Sequence, residues 1–398
     1  MKVLLVHNSY QQPGGEDIVF EQERRLLEGA GHEVVTYRRS NWEIVAYSPL
    51  RRLALAPRTL WNGDSRREVL DLLRREKPDV AHVHNTFIMI SPAIFSACQE
   101  AGVPVVQTLH NYRFFCPTAT FFRSGKVCEE CLHHSLWRGV EHACYHGSRA
   151  QTAVVALMLA LHQRRETWAR GVDGFICLTE FARRKFMEGG LPAEKLFVKP
   201  NFVHPDPGAR SGDGDYALFV GRLSPEKRVS TLLAAWSRLP KPIPLRVVGG
   251  GPEREELEAQ TEQLKLRSVQ FEGQLPRPQT LAALNGARFL VFSSEWYENF
   301  PVTIGEAYAC GTAVICSRLG AMQEIVHDGR TGLHFNPGDP DDLARKVDWA
   351  WNHPDEMREM GRQARREYEM KYTAEKNYPM LMEIYQRAIA AYGRANVN

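Results

Sequence analysis

Short apolar runs alternating with amphipathic stretches occur in two successive sets along this chain, and that rhythm leaves few folds open. In the first half the apolar runs fall at residues 3–7, 33–37, 80–84, 103–110, 174–178 and 196–199. Helical spacing of apolar positions lies between them, at residues 16–28, 66–75 and 92–100. The rhythm restarts at residues 216–220, 245–248, 269–272, 288–293, 313–317 and 332–335. Strands that are apolar almost throughout belong in a parallel sheet covered on both faces, so each half reads as a doubly wound α/β domain. Two such domains in tandem imply a cleft, with ligand at the carboxyl ends of the strands. Pro200 and Asn201 close the first half, and residues 205–215, dense in Pro, Gly and Asp, read as a linker. The expected domains are residues 1–202 and 203–374. A C-terminal helix over 375–398 follows a strong helical pattern at 355–372 and is expected to cross back to the first domain.

Composition narrows the function. The chain has 398 residues, 43% of them apolar and 24% charged, which suits two or three domains with full cores. A net charge of +3 is too small to argue for a nucleic-acid partner. The longest apolar run, residues 153–161, fits a buried or interfacial helix and is too short for a membrane span. The first seven residues read as a strand instead of a signal peptide. The expected location is therefore the cytoplasm, where the eight cysteines stay reduced unless they bind metal.

Chemistry concentrates in the second half. The apolar strand at 288–293 runs into a turn carrying Glu298, Asn299, Phe300 and Pro301, and a helix then begins and carries Glu306. Unpaired backbone N–H groups at such a helix start favour anions and polyols, and the two carboxylates address different parts of one long ligand. Upstream, the strand ending at Val220 leads through Gly221 to Arg222 and Lys227. The planar fork of Arg and the compact charge of Lys suit a diphosphate. In the first half, Pro13, Gly14 and Gly15 precede an acidic pair, Glu16 and Asp17, at the start of a helix. Glycine there permits close backbone approach to a ligand. His110 ends a strand at its carboxyl edge, and His84 ends another in the same way.

These motifs, in this order, resemble the retaining family-4 glycosyltransferases of the GT-B superfamily. The resemblance rests on Gly221-Arg222-Leu223-Ser224-Pro225-Glu226-Lys227, Val247-Val248-Gly249-Gly250-Gly251-Pro252, Glu272-Gly273 and the Glu298-to-Glu306 element, with Pro200-Asn201 ahead of them. It implies a GT-B fold, two Rossmann-like domains facing each other across a cleft. It also implies a cytoplasmic hexosyltransferase of polysaccharide or glycolipid assembly that moves a sugar from a nucleotide-diphosphate donor with retention. In that family Arg222 and Lys227 would neutralise the donor diphosphate, Glu306 would bond the ribose, and Glu298 would face the transferred sugar. Asn299, Phe300 and Pro301 stand where many members carry Gly-Phe-Gly. Gly14 and Gly15 match a loop near the donor phosphate, and His110 matches a histidine contacting the donor sugar. Leaving-group neutralisation by cationic side chains makes a catalytic divalent metal unnecessary. A glutamate nucleophile is the mechanistic alternative.

Two further features stand outside that match. Cys116, Cys128, Cys131 and Cys144 fall in a segment at about 113–148, and Cys128-Glu129-Glu130-Cys131 has zinc-knuckle spacing. A structural zinc is one reading, with His133, His134, His142 and His146 as other ligands; reduced thiols in an inserted loop is the other. Cys98, Cys177, Cys310 and Cys316 lie in apolar patterns and read as core. The mixture of Arg51, Arg52, Arg58, Trp61, Arg66 and Arg67 suits anionic headgroups or a polyprenyl-linked acceptor, which would bring the protein to the inner face of the membrane. Arg113 and Arg123 are further acceptor-side candidates. Of the rival classes, a dinucleotide oxidoreductase needs a G-x-G-x-x-G turn, which neither residues 7–15 nor 249–252 provide. A non-catalytic carbohydrate-binding descendant predicts decay of the donor motifs, yet Arg222, Lys227, Glu298 and Glu306 are all present.

Overall fold

A computed structural model describes residues 1–11, 14–48, 54–210, 212 and 214–395. Pro13, Arg51 and Arg52, named above, and Ser211 and Asp213 of the expected linker lie outside the described residues, as do residues 396–398. By contact the chain divides into two units. One holds Met1–Phe121, Cys128–Pro200 and Asn377–Asn398; the other holds Phe122–Val127 and Asn201–Lys376.

The first unit is built on a six-stranded parallel sheet. Its strands are β1 (Lys2–Ser9), β2 (Glu33–Ser40), β3 (Val80–Asn85) and β4 (Val105–Thr108); after the two short strands of the hairpin described below come β7 (Gly174–Cys177) and β8 (Leu196–Val198). The spatial order is β2-β1-β3-β4-β7-β8. Central strands such as β3 and β4 are buried at every residue, and among their apolar residues they also bury the polar side chains of His82, His84, Asn85 and Gln107. The order reverses between β1 and β3, so the loops after these two strands flank the sheet's switch point. The strand expected at 103–110 ends sooner, at Thr108, and His110 therefore sits in the loop beyond it.

In the second unit β9 (Ala217–Val220), β10 (Leu245–Val248), β11 (Val269–Gly273), β12 (Phe289–Phe292), β13 (Ala313–Ser317) and β14 (Gly332–Phe335) form another parallel sheet. Its order is β11-β10-β9-β12-β13-β14, with the switch point between β9 and β12. The helices Val229–Trp236 and Pro340–Asn352 bury Leu232, Leu233, Leu343 and Val347 in one core with Phe219, Val247, Phe289 and Ile315. The hairpin β5 (Phe122–Arg123) and β6 (Lys126–Val127) counts with this unit, so Arg123 does too.

The chain leading into the expected linker, and Arg210 within it, are tied to the second unit. Phe202 and Val203 are buried, Val203 N–H donates to Tyr372 O at 2.9 Å, and Arg210 N–H donates to Cys310 O at 2.8 Å. Punctuating residues set the local turns, but the apolar pair and the Arg210 backbone bind this segment to the second unit. The last helix, Ala374–Ala395, contributes Asn377 and Tyr385 to the first unit. No described helix is long and apolar enough to cross a membrane. The run at 153–161 lies in the helix Arg149–Arg164, which buries Val155, Met158 and Leu159 and exposes Leu157. Cys98, Cys177, Cys310 and Cys316 are buried, as their apolar settings predict.

Candidate functional site

The loops after β9 and β12 adjoin because their strands are neighbours at the switch point. Beyond β9 the chain turns through Gly221 and Arg222 into a short helical turn, Pro225–Lys227, before the helix Val229–Trp236. The glycine run after β10 lies flush against it. Gly221 N–H donates to Val248 O at 3.0 Å, and Leu223 N–H donates to Gly250 O at 2.9 Å. A Cβ on Gly249 would collide with Gly221 O, and one on Gly251 with Leu223 O. The β12 loop is stitched to the same turn: Ser293 Oγ donates to Lys227 O at 2.9 Å and Glu295 N–H to Glu226 O at 3.0 Å.

These bonds bring Lys227 to Glu298. Lys227 Nζ lies 2.5 Å from Glu298 Oε1, and the same oxygen accepts from Ser294 Oγ at 2.8 Å and Trp296 Nε1 at 2.7 Å. Glu298 is only 6% exposed, so its charge stands among three donors in place of water. The Lys227 ammonium also lies 5.0 Å from the Phe292 ring centroid. Next to this pair, Arg228 Nε donates to Glu295 Oε2 at 3.0 Å, and its Nη2 donates to Gly125 O of the hairpin at 2.7 Å. Arg222 is freer. Its side chain is 49% exposed and meets Glu226 Oε1 at 3.1 Å.

Asn299 and Phe300 are buried in the turn, and the Phe300 ring meets Tyr372 at 5.3 Å. Pro301 caps the helix Val302–Ala309 from outside, one position before the first turn in which the sequence suggests it. The proline's fixed φ of −65° still aims the chain into the helix. Glu306 lies on that helix at 5% exposure. Burial pushes its carboxyl above the usual range, opposed by Arg277, whose Nε donates to Oε1 at 2.9 Å.

The first unit gathers histidines at its own switch point. His84 Nδ1 and His110 Nε2 are 3.0 Å apart, and the two rings stack at 5.2 Å. Behind them Glu23 Oε2 lies 3.3 Å from His84 Nε2, while Lys199 Nζ reaches Glu23 Oε1 at 2.6 Å. His82 is bonded on both ring nitrogens, to Tyr385 OH at 2.7 Å and Thr108 Oγ1 at 2.8 Å. Burial, reinforced by the charge of His84, holds His110 well below the ordinary histidine value. Burial raises Glu23, but Lys199 and the histidines override it, and the carboxyl lies well below its usual range. At the end of β1, His7 Nε2 meets Asp17 Oδ1 at 2.9 Å, and Asp17 Oδ2 accepts the Gly14 N–H at 2.8 Å. That bond fixes the loop carrying Gly14 against the helix Gly15–Gly29.

Two family profiles match the chain in succession. One, described as Glycosyltransferase Family 4, matches residues 13–207; the other, Glycosyl transferases group 1, matches residues 204–367. The chain belongs to the family-4 glycosyltransferases of GT-B fold. Among curated relatives, the D-rhamnosyltransferase WbpZ of Pseudomonas aeruginosa is 33% identical over 161 residues, 40% of this chain and 42% of the relative. A glycogen synthase of Mycobacterium tuberculosis is 30% identical over 305 residues, 73% of this chain and 64% of the relative. The family-4 chain thus spans less than two thirds of the length of these relatives. The crystal structure of Anabaena Alr3699/HepE in complex with UDP matches with a TM-score of 0.67 at 19% identity, over 96% of this chain and 99% of that one.

Several residues around the family-4 motifs have no sequence signal of their own. Arg277 reaches Glu306 from a helix 29 positions earlier in the chain. Glu23 and Lys199 are 176 positions apart. Ser294 and Trp296, by contrast, lie in the same loop as Glu298, and their donor groups could have been noted there. Where it is described, the basic surface expected to meet headgroups is partly paired with carboxylates. Arg58 and Arg67 both pair with Asp64, at 2.7 and 2.6 Å, and Arg66 pairs with Glu100. Arg113 lies over the Phe87 ring at 4.0 Å and donates to Pro117 O.

Proposed function

We propose that this protein transfers a hexose from a nucleoside-diphosphate donor to a saccharide or lipid-linked acceptor with retention at the anomeric carbon. The observation that carries the reading is the Lys227–Glu298 pair at the β9/β12 switch point, with Arg222 exposed beside it. In this reading Arg222 and Lys227 receive the donor diphosphate and neutralise the charge that grows as the glycosidic bond breaks. Glu298 takes the sugar hydroxyls, and Glu306 takes the vicinal hydroxyls of the ribose. Asn299, Phe300 and Pro301 shape the turn between the two carboxylates. Gly14 and Gly15 offer backbone to the phosphate, and His110 contacts the donor sugar.

The reaction is written without a protein nucleophile. The bond from the anomeric carbon to the diphosphate oxygen breaks, the acceptor oxygen bonds the same face, and the acceptor proton passes to the departing phosphate. Positioning and charge stabilisation are then the protein's contribution. Three hydrogen-bond donors already occupy Glu298 Oε1, which favours an anchoring carboxylate over an attacking one. With two cations for the diphosphate, the reaction needs no divalent metal.

The Anabaena structure contains UDP, so UDP-sugars are the first donors to try. Calorimetry with UDP-, GDP- and ADP-sugars should show one class binding, with loss in Arg222→Ala and Glu306→Ala. NMR of the product should then show the donor's anomeric configuration. Absence of binding by any class to folded protein would leave a non-catalytic carbohydrate-binding descendant as the better reading. Flotation with anionic liposomes tests whether a lipid-linked acceptor brings the protein to the inner face of the membrane.

A further inference from the structure

Four thiols between residues 113 and 148 have no part in the proposed transfer. Cys116 is buried, Cys128, Cys131 and Cys144 are half-buried, and none is in a disulfide. Gly139 knits their segments together. A Cβ there would stand 3.4 Å from Cys131 Sγ and 3.0 Å from Pro117 Cγ, beside Cys116. Its carbonyl accepts the Cys144 N–H at 3.0 Å, and its own N–H bonds the Cys131 thiol. Cys128 N–H is fixed by Phe121 O at 2.7 Å. Gly139 thus holds the Cys131 thiol and the Cys144 backbone to one point, against the Pro117 ring that follows Cys116.

The histidines that competed for this role in the sequence have other partners. His133 Nε2 meets Glu129 at 3.0 Å, His142 Nε2 meets Glu130 at 3.3 Å, and His146 Nδ1 meets Gln151 at 3.2 Å. Two other groups of metal-ligating side chains gather within 4.8 Å among the described residues, and both already hold a cation. In Glu23, His82 and His84 it is the Lys199 ammonium; in Glu129, His133 and Glu188 it is Lys185 Nζ, 2.7 Å from Glu129.

We propose that Cys116, Cys128, Cys131 and Cys144 bind one zinc ion as a structural four-thiolate site that closes the insertion at both ends of the β5–β6 hairpin. The sulfurs are not among the sets gathered within 4.8 Å, so binding requires them to turn inward, Cys116 leaving Thr118 Oγ1 at 3.1 Å. Zinc–sulfur bonds of about 2.3 Å then form as the thiol protons are released. The site stands independently of the transfer reaction.

The test uses the full chain, purified without a histidine tag. Elemental analysis is expected to give one zinc per chain, and the Cys128→Ser/Cys131→Ser double variant none. Replacement by Co²⁺ in the unmutated protein should give thiolate charge-transfer and tetrahedral d–d absorption, which keeps the test open should the variant fail to fold. His142→Ala should retain the metal. Zinc-free wild type without cobalt–thiolate absorption, metal that survives loss of both knuckle cysteines, or a Cys128–Cys131 disulfide in protein purified under reducing conditions would overturn the proposal.

Discussion

Lys227 and Glu298, 71 positions apart, share a bond of 2.5 Å, and both belong to loops that follow neighbouring strands, β9 and β12. Side-chain exposures of 13% and 8% leave each dependent on the other for counter-charge. Removing one partner should therefore cost more than removing both. Lys227→Met and Glu298→Gln, alone and together, are expected to give a coupling of about 1–3 kcal/mol in urea denaturation. Both single variants should lose most transfer activity. A coupling near zero would mean that Ser294 and Trp296 suffice to hold the carboxylate.

Arg277 is expected to set the charge of Glu306. Arg277→Ala removes the partner that opposes the effect of burial, so the carboxyl moves further up and a larger fraction is protonated near neutral pH. Nucleotide affinity should fall about tenfold, equivalent to one charge-assisted hydrogen bond of about 1.4 kcal/mol. Calorimetry against the nucleotide that binds the wild type reads this directly; unchanged affinity would remove Glu306 from the ribose site.

Glu23 and Lys199 form a fully buried pair in the first unit. Lys199→Met should destabilise by about 3–5 kcal/mol, because it strands a carboxylate away from water. The double variant Lys199→Met/Glu23→Gln should recover a substantial part of that loss. Thermal unfolding of the three proteins decides it, and no recovery would point to packing in place of charge.

Acid should loosen the same unit. Burial lowers His110 and His82 well below the ordinary 6.5, so the unfolded chain binds protons there before the folded one does. The stability these groups contribute is present above pH 6.5 and lost as pH falls toward their folded values. Glu23, lowered from 4.5, adds its own loss at more acid pH. The melting temperature should therefore decline below about pH 6.5, and His110→Gln should flatten the upper part of that decline.

Glycines in the site separate by what surrounds them. Gly249→Ala places a methyl against Gly221 O and should destabilise by about 2–4 kcal/mol, whereas Gly250, with nothing within 4 Å, should tolerate alanine at about 1 kcal/mol or less. Gly14 also has open space and an ordinary φ of −129°. Gly14→Ala should leave the melting temperature near wild type while weakening donor binding, since its new methyl meets only the ligand. Equal donor affinity in that variant would show that the phosphate does not approach this loop.

The sequence determined the two sheets because strand burial has a local signature: runs such as Phe289–Phe292 are apolar at every position. It also supplied the motif proposed for the donor, since Arg222, Lys227, Glu298 and Glu306 sit at fixed offsets from strand and helix ends. The exact ends were less legible, and His110 and Pro301 each fall just beyond the element expected to hold them. A punctuating composition marked residues 205–215 as a linker, yet the neighbouring Phe202 and Val203, together with Arg210, tie that segment to the second unit. What only the tertiary structure decided are the partners. Arg277 on Glu306, Lys199 on Glu23 and the turn of Glu298 toward Lys227 depend on strand order and helix packing. A buried charge takes its counter-charge from whatever the fold brings near, and that proximity has no sequence period to read.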